Sequence, residues 1–249
     1  MRYELFYWPS IQGRGEFVRL ALEQAGADYV DVARQSEGEE TGEDVLIRWL
    51  EDDKIKRPPF APPFLKAGKL IIGQTANILL FLGGRHNLAP KDEAGRLWAH
   101  QLQLTIADFV VEIHDVHHPL GANFYYEDQK PEARRRAADF LKERLPKFLG
   151  YFEDVLRSNG GRYMVGKKLS YVDLSMFQVI AGLRYAFPRA MARSKREYPL
   201  LDVLHDRVVA LPRVSNYLSS KRRIPFNRQG IFRHYEELDT RLLRKTERK

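Results

Sequence analysis

The chain has 249 residues, 44% of them hydrophobic and 30% charged, which is the balance of a globular protein that buries a sizeable core. It contains no cysteine, so disulfides, thiolate metal sites, Cys-x-x-Cys redox pairs and a cysteine nucleophile are excluded, and any sulfur chemistry must use a bound thiol. The formal net charge of +8 favours anionic partners.

The basic residues concentrate at Arg134–Arg136, at Lys221–Arg223 and in the tail from Arg241 to Lys249. Runs of like charge usually form solvated helix faces or frayed ends. Aromatic residues are not interleaved with these runs, as a stacking platform for nucleic acid requires. We therefore expect no nucleic-acid partner.

The N-terminus leads directly from Met1 and Arg2 into strand-like sequence, without the basic, apolar and small-residue regions of a signal peptide. No apolar run approaches the roughly 20 residues that cross a bilayer. The sequence predicts a cytoplasmic protein with no membrane partner.

Strand and helix signals alternate in the first part of the chain. Tyr3–Tyr7 alternates like a strand, and Arg14–Ala25 places its apolar residues on one side of a helix that Gly26 ends. Tyr29–Val32 reads as a second strand, which completes a βαβ unit.

A ββα unit is predicted after a polar, acidic loop at 35–43. Its expected elements are a short helix at Val45–Leu50, strands at Phe64–Lys66 and Leu70–Ile72 joined by a turn at Ala67 and Gly68, and a helix capped by Thr75 that ends at Gly83–Gly84. The order βαβ then ββα describes a thioredoxin-like α/β domain.

From Glu93 onward the apolar spacing is helical, which predicts an all-α bundle of five or six helices. In the first of these helices one row holds Leu97, Gln101, Leu104, Asp108 and Val111, and Leu102, Ile106, Phe109 and Ile113 pack beside it. The predicted organisation is a domain at 1–84, a linker at 85–92, a helical domain at 93–235 and a charged tail at 236–249.

Proline, glycine and capping residues set further helix boundaries. Pro131 suits a first helical turn, Pro146 is expected to kink the helical segment after it, and Asn159–Gly161 ends that segment. Ser170 and Asp173 have the spacing of a capping box ahead of a helix from Leu174 to Leu183. Two shorter helices are expected at Leu200–Ala210 and Arg213–Ser219.

This ordered set of motifs resembles the glutathione transferase superfamily over roughly residues 3 to 220. The matching features are Tyr7 at the end of the first strand, the Gly-Arg-Gly turn at 13–15, the proline before the third strand, Gln74–Thr75 before the third helix, and the segments Tyr163–Gly166 and Leu169–Asp173. The resemblance implies a thioredoxin-like domain that binds glutathione, a helical domain that contributes the electrophile pocket, and a homodimer.

The resemblance implies that Tyr7 donates its hydroxyl hydrogen to the glutathione sulfur. A free thiol has a pKa of about 8.5, and lowering it by two units takes ~2.7 kcal/mol, within reach of one hydrogen bond to a charged group. Ser10 is the rival, because a nearby serine has this role in some classes of the family. Thiolate nucleophilicity falls with pKa, so most of the rate must come from positioning the electrophile.

By the same resemblance, glutathione is bound by Tyr7, Arg14, Trp49, Lys54, Pro62, Pro63, Gln74 and Thr75. Pro63 matches the family's cis-proline, which turns the N–H and C=O of the preceding residue towards the cysteinyl part of glutathione. Gln74 and Thr75 match the pair that holds the γ-glutamyl carboxylate at a helix N-terminus. Lys54 is expected at the glycyl carboxylate, with Lys56 or Arg57 as alternatives.

The implied electrophile pocket is lined by Trp8, Ser10, Ile11, Val111, His114, Asp115 and His118. Many family members add an acidic residue from the neighbouring subunit, for which Asp108 is the nearest candidate although Leu104 aligns with that position. His114, His117 and His118 have the spacing of a metal site. We interpret them as a polar pocket wall or a solvated helix end and expect no metal.

The sequence therefore predicts a cytoplasmic, dimeric glutathione S-transferase, an enzyme of detoxification that conjugates glutathione to a hydrophobic electrophile. Glutathione is the co-substrate. The alternative is a protein of the same fold that binds a ligand or a protein partner without catalysis, because a fold does not fix a function.

Overall fold

The computed structural model describes residues 1–35 and 42–239. Its first half contains strands β1 (Tyr3–Phe6), β2 (Tyr29–Asp31), β3 (Phe64–Ala67) and β4 (Leu70–Gly73), and helices α1 (Gly15–Ala25), α2 (Asp44–Glu51) and α3 (Thr75–Arg85). The predicted elements of this half are confirmed, with ends shifted by one or two residues. Most of the loop predicted at 35–43 lies outside the described residues.

The strands form one mixed sheet in the order β2-β1-β3-β4, with β1 parallel to β2 and antiparallel to β3. Side chains alternate across the sheet. Leu5 and Leu65 point into a large buried cluster, whereas Phe6 and Phe64 belong to a smaller cluster on the other face, against Trp49. The thioredoxin-like arrangement predicted from the sequence is confirmed.

Strand register brings three predicted site segments to one end of the sheet. Phe6 pairs with Phe64, which pairs with Gly73 on its other side. Tyr7, Pro63 and Gln74 are the neighbours of these residues in the chain, so they meet at this edge. The peptide bond between Pro62 and Pro63 is cis, as predicted.

In the described part of the second half, the regular elements are helices. Its helices are α4 (Glu93–Asp115), α5 (Lys130–Asp139), α6 (Leu145–Ser158), α7 (Tyr171–Ala186), α8 (Pro188–Glu197), α9 (Pro199–Val209) and α10 (Pro212–Leu218). The expected number of five or six is too low, because α8 was not predicted. The sequence of α8 is dominated by charges and contains few apolar residues, of which Ala190 and Met191 are buried, so it offers no long apolar row that would predict a helix.

The helix boundaries predicted from prolines and glycines lie close to those in the structure. Pro131 lies in the first turn of α5, and α6 ends at Ser158 ahead of two glycines with positive φ. Pro146 lies in the first turn of α6, and the preceding turn, Phe140–Arg144, is π-helical. The expected distortion therefore falls before Pro146, where its missing N–H leaves an earlier carbonyl without its usual donor.

A single large cluster of buried residues extends from the sheet face through α1 and α3 into the helical half. The division into two domains at residues 84–93 stays a prediction. Residues 236–239, assigned to a charged tail, instead pack on the bundle, where the buried Asp239 accepts the backbone N–H groups of Arg189 and Ala190. The rest of the tail, 240–249, lies outside the described residues. Among the helices described, none is both long and apolar enough to cross a membrane.

The predicted capping box at the start of α7 is confirmed. Asp173 is fully buried and accepts the backbone N–H groups of Ser170 and Met164, both at 2.7 Å, and the Ser170 hydroxyl at 2.7 Å. One carboxylate therefore fixes both the N-terminus of the central helix and the chain segment that leads to it.

Replacing Asp173 by alanine should lower the free energy of unfolding by roughly 2–5 kcal/mol, because two buried N–H groups lose their acceptor at about 1–3 kcal/mol each. Ser170→Ala, which removes one side-chain bond, should cost about 1 kcal/mol. Urea denaturation of the two variants measures the difference. Equal losses would contradict this role of the carboxylate.

Candidate active site

Tyr7 lies directly after β1 and is only 4% exposed. Its ring packs on the backbone of the turn that leads into α1. A Cβ atom added at Gly13 or at Gly15 would lie closer than 3.0 Å to atoms of this ring, and Gly13 also has a positive φ of 43°. The Gly-x-Gly pattern is therefore required by the close approach of the backbone to Tyr7.

The hydroxyl of Tyr7 is held at the N-terminus of α1. Its oxygen accepts the backbone N–H of Arg14 at 2.8 Å, and among the described residues no acceptor takes its hydrogen. Burial raises the pKa of Tyr7, while the N–H of Arg14 and the positive charges of Arg14 and Arg19 act in the opposite direction. The raised pKa keeps the phenol protonated near neutrality, so it can donate a hydrogen bond.

Arg19 stabilises this turn through contacts with the Tyr7 ring and with the backbone. Its guanidinium lies 5.6 Å from the centre of the Tyr7 ring and donates to the carbonyl groups of Ile11 and Gln12. It is fully buried and forms an ion pair with Asp31 at 2.7 Å. The sequence analysis missed Arg19, although an arginine on the apolar side of a predicted helix signals a buried charge with a partner.

The start of α3 corrects one expectation. Gln74, with a positive φ of 66°, occupies the N-cap position, and Thr75 is the first helical residue. Thr75 does not cap the helix with its side chain; its hydroxyl is buried without a hydrogen-bond partner. The amide of Asn77 instead donates to the Gly73 carbonyl at 3.2 Å. The unpaired hydroxyl of Thr75 is available to a ligand.

Arg14 and Thr75 line one small cavity between α1, α3 and α4. Gln103 also lines it, and its side-chain oxygen is buried and unpaired. The cavity therefore brings Arg14 together with two residues whose side-chain oxygens lack partners, and the rest of its lining is apolar. Gln103 was not predicted, although an amide next to the apolar positions Leu102 and Ile106 was a signal of this kind.

One expectation about the cis-proline is wrong. The residue before Pro63 is itself a proline, Pro62, and proline has no backbone N–H. Pro62 can offer its carbonyl to the cysteinyl part of glutathione but cannot donate to it. The chain thus lacks one of the two backbone hydrogen bonds that the resemblance implied at this point.

The residues predicted at the glycyl carboxylate lie on and after α2. Trp49 is half-buried, with its ring centre 5.1 Å from Phe6 and 5.9 Å from Phe64. Lys54 is exposed in the segment after this helix, as are Lys56 and Arg57. Trp49 thus packs against the smaller cluster, and the choice among the three cations stays open.

The residues predicted to line the electrophile pocket come from the end of β1 and the end of α4. Trp8 packs partly against the smaller cluster, Ile11 is half-buried and Ser10 is exposed. Val111 is 46% exposed on the outward row of α4, together with Leu104. The pocket role of these residues stays a prediction.

The three histidines form one cluster at the end of α4. The ring of His118 lies parallel to that of His114, with centres 5.2 Å apart, and Nδ1 of His117 is 2.5 Å from Nδ1 of His118. Nε2 of His117 is 2.8 Å from the Ile231 carbonyl oxygen, and Nδ1 of His114 is 3.2 Å from Asp115. Across residues 1–35 and 42–239, no group of three or more His, Cys, Asp or Glu side chains has the arrangement of a metal site.

Burial is the main influence on these imidazoles. It lowers the pKa of His114, and it lowers those of His117 to about 2 and of His118 to about 4. The cluster is therefore uncharged near neutrality, which agrees with the interpretation as a polar wall.

The segment after α10, residues 220–239, also reaches this region and was not predicted to do so. Asn227 donates to the Ser10 carbonyl at 2.9 Å, and Gln12 donates to the Ile224 carbonyl. Its polar, basic composition resembles that of an exposed connector, so only the tertiary contacts reveal its position.

Comparisons with known proteins agree with this architecture. The family model for the glutathione S-transferase C-terminal domain matches residues 114–221. The glutathione S-transferase of Plasmodium falciparum is 24% identical over 225 residues, which cover 88% of this chain and 96% of that protein. Glutathione S-transferase P 1 of Xenopus laevis is 28% identical and covers 89% of this chain and 93% of its own length.

Solved structures show the same fold. The Pi-class glutathione S-transferase of Onchocerca volvulus superposes with a TM-score of 0.67 at 24% identity, covering 87% of this chain and 92% of that one. Prostaglandin synthase D of Nilaparvata lugens gives a TM-score of 0.67 at 20% identity, covering 89% and 99%. Together these comparisons support membership of the glutathione S-transferase superfamily.

The packing of Tyr7 on the turn predicts that an alanine destabilises the protein at Gly15 but not at Gly84. Gly15→Ala should lower the free energy of unfolding by roughly 1–3 kcal/mol, because the new methyl group overlaps the Tyr7 ring. Gly84→Ala, where a Cβ meets nothing within 4 Å, should leave stability unchanged or raise it by up to about 1 kcal/mol. Urea denaturation distinguishes the two. A Gly15→Ala variant as stable as the parent chain would contradict the packing.

Proposed function

We propose that this chain is a glutathione transferase that ionises the glutathione thiol with a hydrogen bond from Tyr7 and joins the sulfur to a hydrophobic electrophile. The thiol proton leaves to solvent, a sulfur–carbon bond forms, and the group displaced from the electrophile departs with its electron pair. The single observation that carries the proposal is the buried Tyr7 hydroxyl, whose oxygen accepts the Arg14 N–H and whose hydrogen has no acceptor in the described part of the chain.

The charges around Tyr7 suit a thiolate. The helix N-terminus at Gly15 places partial positive charge beside the hydroxyl. The positive charges of Arg14 and Arg19 act on the hydroxyl in the same direction, with that of Arg19 partly offset by its ion pairs with Asp31 and Glu16. The Arg14 N–H, Arg14 and Arg19 lower the pKa of Tyr7 because they favour negative charge at this place. They therefore also stabilise a thiolate bound next to the hydroxyl.

The other contacts of glutathione are inferred from the residues that meet at the edge of the sheet. We infer that the γ-glutamyl carboxylate binds at the start of α3 to the Thr75 hydroxyl and the N–H groups near Gln74, with Arg14 close by. The unpaired Thr75 hydroxyl supports this placement. The cysteinyl part would lie beside the Pro62 carbonyl, and the glycyl carboxylate would face Trp49 and Lys54.

The electrophile would lie beside the sulfur, between the turn Trp8–Ile11 and the end of α4. His114 and His118, uncharged near neutrality, supply a polar wall there. Holding the electrophile next to the thiolate supplies most of the acceleration, since positioning can contribute several kcal/mol.

The protein is further proposed to act as a homodimer in the cytoplasm, in detoxification. The outward row of α4 exposes Leu97, Leu104 and Val111, with exposed fractions of 64%, 47% and 46%. Asp108 is exposed on the same row. A second copy seated on this row would cover the apolar side chains and bring its own Asp108 and Leu104 towards the neighbouring glutathione site.

The role of Tyr7 predicts a pH-dependent effect of Tyr7→Phe on turnover of 1-chloro-2,4-dinitrobenzene. With a bound-thiol pKa two units below that of the free thiol, the ratio of kcat/KM for the parent to that for the variant should rise about threefold from pH 7 to pH 6. It should fall about twentyfold from pH 7 to pH 9, where both thiols are ionised.

Ser10→Ala is the matched control and should keep the kcat/KM of the parent chain at every pH. A ratio for Tyr7→Phe that does not change with pH, or a loss of activity in Ser10→Ala instead, would contradict the role of Tyr7. Retention on immobilised glutathione without turnover in the parent chain would favour the non-catalytic binding protein.

The dimer predicts that Leu104→Arg yields monomers, because a buried charge without a partner opposes association. Val203→Arg, at a residue 48% exposed on α9, is the control and should leave the dimer intact. Sedimentation velocity of both variants decides the point. A Leu104→Arg variant that remains dimeric would exclude this row as the interface.

A further inference from the structure

The segment at residues 220–239 forms a third wall beside the proposed electrophile site. In the middle of the segment Asn227 donates to the Ser10 carbonyl at 2.9 Å, and four residues later the Ile231 carbonyl is 2.8 Å from Nε2 of His117. The segment thus connects the turn after β1 with the end of α4. Arg233 follows Ile231 by two residues, on the stretch that contacts the end of α4.

Arg233 is a half-buried cation of this segment that lacks a counter-ion, whereas Lys221 and Arg228 are exposed to solvent. The guanidinium of Arg233 donates only to the backbone carbonyls of Gly230 at 2.8 Å and Gln229 at 3.1 Å. In the described ranges no carboxylate lies within ion-pair distance of it. Two carbonyls orient the guanidinium without neutralising its charge.

The charge of Arg233 acts on the histidine cluster. After burial, its positive charge contributes to the lowered pKa values of His114, His117 and His118. The positive charge of Arg14, which lies on the side of Tyr7, also lowers the pKa of His114, whereas Asp115 raises it. This side of the cleft therefore combines two guanidinium groups and uncharged imidazoles with one carboxylate, which leaves it positive.

We propose that the electrophile site selects acceptors that carry a carboxylate or a similar anionic group, and that Arg233 is the residue that determines this specificity. Arginine suits the role because its planar guanidinium, already oriented by two carbonyls, retains N–H groups for a bidentate bond to a carboxylate. The inference rests on the proposed transferase function and adds to it the class of substrate.

The test compares two acceptors that differ in one charge, 4-chloro-3,5-dinitrobenzoate and its methyl ester. The measured quantity is the ratio of their kcat/KM values, acid over ester, because comparing this ratio between variants cancels the intrinsic reactivity of each acceptor. In Arg233→Gln the ratio should fall at least tenfold. Arg233→Lys keeps the charge, so its ratio should fall less than that of Arg233→Gln. This comparison separates the loss of the charge from a loss of folding.

Arg228→Gln is the matched control, since Arg228 is exposed on the same segment and lies over the Tyr235 ring. It should keep the ratio of the parent chain. An unchanged ratio in Arg233→Gln, or an equal fall in Arg228→Gln, would overturn the inference.

Two measurements distinguish this failure from failure of the proposed function. Turnover of the methyl ester by the parent chain tests the transferase activity alone. Calorimetric binding of the unreactive 3,5-dinitrobenzoate and its methyl ester tests the selectivity without turnover, and the affinity for the acid should fall at least tenfold in Arg233→Gln while that for the ester stays the same. Equal affinities in the parent chain and Arg233→Gln would overturn the inference whether or not the enzyme is active.

Discussion

The packing of one phenol ring on a glycine turn organises the rest of the site. Because Gly13 and Gly15 lack side chains, the backbone approaches Tyr7 closely enough for the Arg14 N–H to reach the hydroxyl oxygen at 2.8 Å. That bond uses one of the free N–H groups of a helix N-terminus, and it leaves the hydroxyl hydrogen to point elsewhere. The Arg14 N–H therefore positions the hydroxyl, while burial raises the pKa of Tyr7 and keeps the phenol protonated against the opposite effect of this N–H.

Buried charge supports this turn and connects it to distant parts of the chain. Glu16, which is fully buried, accepts the Tyr217 hydroxyl at 2.7 Å and pairs with Arg19 and Arg223. Breaking a buried pair by removing one partner is strongly destabilising, because the other charge is left uncompensated. The network therefore connects the turn beneath Tyr7 to α10 and to the segment at residues 220–239, which carries Arg233. It positions this segment relative to the Tyr7 hydroxyl.

The fold was largely predictable from the sequence, because periodicity, glycine and proline mark element ends locally. Tyr7, Pro63 and Gln74 were predicted at a strand end, a proline turn and a helix start, whereas the register that brings them together required the structure. The misses have physical reasons: α8 has few apolar residues, Gln103 lines a cavity formed by three helices, and the segment at residues 220–239 is positioned by contacts with Ser10 and His117, far along the chain. The missing N–H of Pro62 was visible in the sequence, whereas the first-turn position of Thr75 required the backbone geometry.

The central claim is that a protonated phenol lowers the pKa of the bound thiol. Titration of the ultraviolet absorption of the thiolate in the complex with glutathione tests it most directly. The account predicts a pKa about two units below the value of about 8.5 for a free thiol, and a return to that value in Tyr7→Phe. A bound thiol with the pKa of free glutathione, or one whose lowered pKa survives the loss of the Tyr7 hydroxyl, would contradict it.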